Sequence, residues 1–161
     1  AVTRKLAPAA TAILGNGTQL DLRFNFSGAA EGRLPNMDRL PNMDGLSLTV
    51  RTLGAADGSS GKDVSLTSSS IPATGQIEGK LNGQPFFVCH VTDPTCTLDL
   101  RLLVDRSVVE VYAQGGRVVA TLPFCPPSPD DTAVSVTNHG VGDVLVSLNS
   151  AVVATANVIP H

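Results

Sequence analysis

A chain of 161 residues with a formal net charge of −3 lacks the basic surplus that nucleic acid or an anionic membrane surface attracts, so neither is an expected partner. It is 42% hydrophobic, enough for one domain core, yet only 4% aromatic, and no apolar run approaches the ~20 residues of a membrane-spanning helix. The first residue is Ala1 and nothing near it resembles a signal peptide, so a processed product or an excised fragment is expected.

Ala1 to Ile13 reads as a small-residue lead-in in which Pro8 argues against a strong strand, and Gly15-Asn16-Gly17 as a turn. Leu20, Leu22, Phe24 and Phe26 then alternate with Asp21, Arg23 and Asn25, the period of a strand with one buried face. A hexapeptide follows twice, Arg33-Leu34-Pro35-Asn36-Met37-Asp38 and Arg39-Leu40-Pro41-Asn42-Met43-Asp44. Two copies are too few for a solenoid, so residues 33–44 read as an expanded surface loop, with a binding loop as the functional alternative. Leu46 to Thr52, Asp63 to Thr67, Gln76 to Leu81 and Gln84 to Val91 are short strands, with a flexible turn over Gly54 to Gly61.

The clearest pattern runs from Leu98 to Leu122. Leu98, Leu100, Leu102 and Val104 form one inward row, Val109 and Val111 a second, and Val118, Ala120 and Leu122 a third. Asp105-Arg106-Ser107 and Gln114-Gly115-Gly116 separate them, which predicts a meander of three antiparallel strands. Pro123 to Asp131 contains four prolines and must be a non-helical loop. Ala133 to Asn138 and Asp143 to Leu148 alternate again around a His139-Gly140 turn, and Ala151 to Val158 reads as a last edge strand. With no amphipathic helix of ten residues or more, about nine or ten short strands predict an all-β fold. That fold is a two-sheet antiparallel β-sandwich formed as a single domain over residues 1–161.

VDRSVVEVYAQGGR, from Val104 to Arg117, resembles a signature of the C-terminal β-sandwich of glycoside hydrolase family 32, which includes invertases, inulinases, levanases and fructan exohydrolases. The family pattern is a leucine-rich strand, V-D-x-S-x-V-E-V-F, a loop with glycines and an arginine; here Tyr112 replaces the phenylalanine. Ala133 to Val153 is similar to the family's closing strands. The resemblance implies a jelly-roll, concanavalin-like arrangement and a partner, an upstream five-bladed catalytic propeller. In the family the nucleophile lies in W-M-N-D-P-N-G, the transition-state stabiliser in R-D-P and the acid/base in E-C. This chain has no tryptophan and no E-C, and its only D-P, Asp93-Pro94, follows Thr92. No catalytic residue carries over.

Asp105, at a hairpin turn, is expected to accept hydrogen bonds from backbone N–H groups two residues on. Glu110 faces away from Val109 and Val111 and can pair across strands with Arg101 or Arg117. Both read as structural rather than catalytic carboxylates. The sharper reading gives Asp105, Arg106, Ser107, Glu110 and Arg117 to docking a propeller. His90, His139 and His161 lack metal-site spacing, Ser107 has no adjacent base, and no glycine run opens a helix to cradle phosphate, so neither metal nor cofactor is expected. Cys89 and Cys96 bracket a turn and their spacing permits a bridge without requiring one, which would leave Cys125 alone. The sequons at Asn16 and Asn25 lean the same way, towards a secreted or vacuolar protein.

Two function classes follow. One is a non-catalytic accessory sandwich that stabilises, docks or oligomerises a propeller; the other is an autonomous, lectin-like carbohydrate-binding sandwich. A structural remnant without a ligand is the bland alternative, and a homodimer is compatible with each. Alternation sends most of the aromatic rings to the core and leaves Tyr112 and Phe124 as candidate sugar contacts.

Overall fold

The computed structural model describes residues 2–17, 19–28, 43–55, 57–93 and 95–153. The alternating segments are strands: β1 (Val2–Leu6), β2 (Thr11–Asn16), β3 (Gln19–Gly28), β4 (Leu46–Gly54), β5 (Lys62–Ile71) and β6 (Gln76–Leu81). They continue as β7 (Gln84–His90), β8 (Leu98–Asp105), β9 (Val108–Ala113), β10 (Val118–Pro123), β11 (Ala133–Asn138) and β12 (Val144–Val153). The first sheet has the order β1-β12-β3-β8-β9-β10 and the second β2-β11-β4-β5-β6-β7. All pairings are antiparallel, so the described residues form an all-β sandwich of two six-stranded sheets.

Register carries each inward row across the sheet. Phe24 lies opposite Leu100, which lies opposite Ala113, and Leu22 opposite Leu102, which lies opposite Val111. Val136, Val50 and Val64 form the matching row of the second sheet. All nine members of these rows are 0 or 1% exposed, and each one larger than alanine contributes about 1.5–3 kcal/mol of burial. Phe24 and Phe26 pack with ring centroids 6.2 Å apart. Buried polar groups are paired: Asn138 donates from Nδ2 to the Leu6 and Gly142 carbonyls at 3.1 and 2.8 Å and accepts from the Gly140 N–H.

The structure corrects the lead-in. β1 and β2 flank Pro8, which occupies the turn between them, where its missing N–H leaves no ladder bond unmade. Together with these two, the described residues contain twelve strands rather than nine or ten. Ala151 to Val153 belong to β12, an internal strand between β1 and β3, and not to a separate edge strand. Residues 154–158 of that expected strand lie outside the described residues. So do residues 33–42 of the duplication. Its last two residues are described: Met43 is a core side chain, 2% exposed, whose carbonyl accepts from Ser68 Oγ, and Asp44 Oδ1 accepts from the Ser70 N–H at 2.8 Å.

Candidate functional site

β8 and β9 are joined through Arg106 and Ser107 alone, with Asp105 opposite Val108. Arg106 has φ +51°, the left-handed conformation that tight hairpins demand. Asp105, Arg106 and Ser107 are exposed, but Asp105 does not bond the backbone of its own turn. Gln19 is its cross-strand neighbour, and Gln19 Nε2 donates to Asp105 Oδ1 at 3.1 Å.

Glu110 also finds a different partner from those expected. Its Oε2 accepts from the Tyr112 hydroxyl at 3.0 Å, which pushes the tyrosine pKa up because the bonded, protonated form is favoured beside the carboxylate. Arg101 instead grips Asp21, with Nε–Oδ1 2.9 Å and Nη2–Oδ2 2.7 Å, and holds that carboxyl below the ordinary carboxylate range. Arg117 sits over Phe87, its guanidinium carbon 5.4 Å from the ring centroid, and Phe87 packs edge-on to His90 at 5.3 Å. The signature arginine, in the turn just before β10, thus reaches the edge strand β7 of the second sheet.

Tyr112 faces outward beside a depression of about 220 Å³ that Arg23, Asp99, Arg101, Gly115 and Gly116 also line. Phe124 is half-buried against the core, and its N–H donates to the Ser107 carbonyl. Tyr112 lies opposite Val119, five residues before Phe124, a separation of about 16 Å along extended chain. The two rings do not form one platform. Val108, Val119 and Val152 are exposed on this same outer face.

The second sheet has an outer face of another kind. Its inward rows point Leu48, Val50, Val134 and Val136 into the core, so Thr49, Arg51, Ser135 and Thr137 project outward with Thr11 and Ile13 of β2. These side chains floor a groove of about 410 Å³, walled by Asp57 and Gly58 of the β4–β5 loop. Arg51 forks onto Asp63 (Nε–Oδ1 2.7 Å, Nη2–Oδ2 2.9 Å) and donates from Nη1 to the Gly58 carbonyl at 2.5 Å. That guanidinium lowers the Asp63 pKa. Thr11 and Thr137 share a hydroxyl hydrogen bond of 2.8 Å, and His139 Nε2 and Thr49 Oγ1 one of 3.0 Å. Sequence reading missed the groove. The signal was present as polar outward positions, but nothing local says that β2, β11, β4 and β5 are neighbours.

Among the described residues, no group of three or more His, Cys, Asp or Glu side chains is placed to hold a metal ion. Cys89 and Cys96 form a disulfide with Cα atoms 5.9 Å apart, while Cys125 is free and exposed. The disulfide points to an extracytoplasmic location.

Fold and faces define a two-sheet antiparallel sandwich in which the outward carboxylates Asp21 and Asp63 are engaged across strands by Arg101 and Arg51, and Glu110 by Tyr112 of its own strand. The chain belongs to the family "Glycosyl hydrolases family 32 C terminal", whose model matches residues 48–153. Among solved structures it is similar to fructan 1-exohydrolase IIa from Cichorium intybus, at 14% identity and TM-score 0.62, over 96% of this chain and 35% of that one. It is also similar to wild-type fructosyltransferase from A. japonicus, at 16% identity and TM-score 0.60, over 97% of this chain and 26% of that one. At such identities the likeness shows the fold. The chain therefore spans about a third or less of the length of these proteins. No curated protein matches the sequence.

Proposed function

We propose that this chain is the non-catalytic accessory sandwich of a β-fructofuranosidase-like glycoside hydrolase, docked to a catalytic propeller on a separate domain or chain. The observation that carries this reading is the family signature hairpin. Its hydrophobic residues fill the core, while Asp105, Arg106 and Ser107 stay exposed and Glu110 and Tyr112 lie on the outer face. Exposed Val108 and Val119 flank the outward Glu110–Thr121 pair, a mixture of apolar and polar surface of the kind a protein interface uses. A propeller as the occupant is supported by the chain's span, only 35% of a structurally similar fructan exohydrolase. Arg117 has a positioning role in this reading: by bridging to Phe87 it holds the edge of the docking sheet against its partner sheet.

The disulfide supports secretion. Of the two sequons, exposed Asn16 has room for a glycan, whereas half-buried Asn25 already accepts from Asn149 Nδ2 at 2.8 Å.

Co-expression with a family 32 propeller bearing W-M-N-D-P-N-G, R-D-P and E-C tests the reading, by native mass and by fructose release from sucrose or inulin. A complex is expected, with hydrolysis residing in it. Val119→Glu should dissociate it without changing the melting temperature of the sandwich, because Val119 is 45% exposed. A sandwich that runs alone or as a homodimer, beside a propeller fully active without it, would overturn the reading.

A further inference from the structure

We propose that the groove on the outer face of the second sheet is a non-catalytic binding site for a neutral saccharide, on the opposite side of the sandwich from the docking hairpin. At about 410 Å³ it falls within the ~300–1,000 Å³ range of small-molecule sites, and the depression beside Tyr112 falls below it.

The floor matches the chemistry of a polyol. Thr11, Thr137 and Thr49 lie in one register row across three strands, and Ser135 stands beside Arg51 in a neighbouring row. A hydroxyl both donates and accepts, and either member of the Thr11–Thr137 pair can be the donor. The row can therefore turn a spare donor or acceptor towards sugar hydroxyls without moving the backbone. Ile13, 44% exposed, adds an apolar surface for the C–H face of a ring.

Arg51 and Asp63 supply directionality. Three guanidinium N–H groups are committed to Asp63 and Gly58, which leaves donors to spare beside the acceptor lone pairs of the carboxylate. Such adjacent donors and acceptors suit vicinal hydroxyls. The charges choose between ligand classes: Arg51 is neutralised by Asp63, and Asp57 lines the same groove, so an anionic ligand meets no net positive field. The wall is held in place before any ligand arrives, by the Arg51 bond to Gly58 and by the Ser59 N–H on Asp57 Oδ1 at 2.9 Å. An isoleucine in place of an aromatic ring gives up stacking area, and the expected dissociation constant is millimolar.

The test titrates the isotopically labelled full chain, without a propeller, with 1-kestose, maltotriose and xylotriose, and with inorganic phosphate as the anion. Backbone amide shifts of Thr11, Ile13, Thr49, Arg51 and His139 should move with at least one neutral trisaccharide and not with phosphate. Thr49→Val and Thr137→Val preserve shape and strand propensity while removing hydroxyls, so each should weaken that binding about tenfold with an unchanged melting temperature. No movement at tens of millimolar trisaccharide, movement confined to the Tyr112 face, a response to phosphate alone, or undiminished affinity in both valine variants would each overturn the proposal. None of these outcomes depends on whether a propeller docks.

Discussion

Asp21 and Arg101 show how much one side chain owes to its neighbours. They lie on adjacent strands, two residues apart diagonally and on the same face, where a bidentate fork can close. The Arg101 side chain is 40% exposed, so solvent screens the pair and its contribution at neutral pH is small. The folded-state pKa of Asp21 is depressed, so this stability is present above the unfolded carboxylate pKa of about 4 and is lost as pH falls through the lower folded value. Asp21→Asn should therefore lower the urea midpoint at pH 7, and its difference from the unsubstituted protein should vanish towards pH 2. A difference that persists there would mean that the loss is one of packing. Asp63, depressed by Arg51, follows the same sign. The residue-scale reading of the sequence was least reliable here. Strand alternation offers Glu110 the arginines across the sheet, yet Arg101 is taken by Asp21 and Arg117 by Phe87, which leaves the carboxylate to Tyr112.

Strands were far more legible than side-chain partners. β3, β8, β9 and β10 follow the alternation residue by residue, because a half-buried sheet forces a period of two. The lead-in is less legible because a proline argues against a strand only when it lies inside one, and Pro8 separates two. Close packing between neighbouring strands gives a sharp test in β6. Gly79 lies opposite Phe86, and a Cβ there would stand 2.5 Å from Phe86 Cζ and 3.0 Å from Val88 Cγ2. Both side chains are buried and have little room to yield. Gly79→Ala should cost about 1–3 kcal/mol, read as a lower denaturation midpoint at unchanged slope.

At the scale of the molecule, the two sheets are tied at one seam. Cys89 is the penultimate residue of β7 in the second sheet and Cys96 precedes β8 of the first, so the disulfide braces the crossover between them. Gln114 reinforces the seam by donating to the Val88 and Thr97 carbonyls and accepting from the Asp99 N–H. Closing so short a loop removes unfolded-state entropy worth about 2.5 kcal/mol. The Cys89→Ser, Cys96→Ser double variant should unfold with about that much less stability while keeping its β-rich circular dichroism. Loss of the sandwich spectrum at room temperature would show instead that the bridge is required to form the seam.

By itself the sequence determined which face of β3, β8, β9 and β10 is buried, the β8–β9–β10 meander whose short turns force adjacency, and the family, through residues 104–117. These are local properties, set by side-chain period and turn length. Tertiary structure alone decided that β3 lies between β12 and β8 and that β11 lies between β2 and β4. Pairing between strands distant in sequence is selected by how two hydrophobic faces fill one core, and no local pattern encodes it. The partners of Asp105, Glu110 and Arg101, and the groove that gathers Thr11, Arg51 and Thr137, follow from that selection.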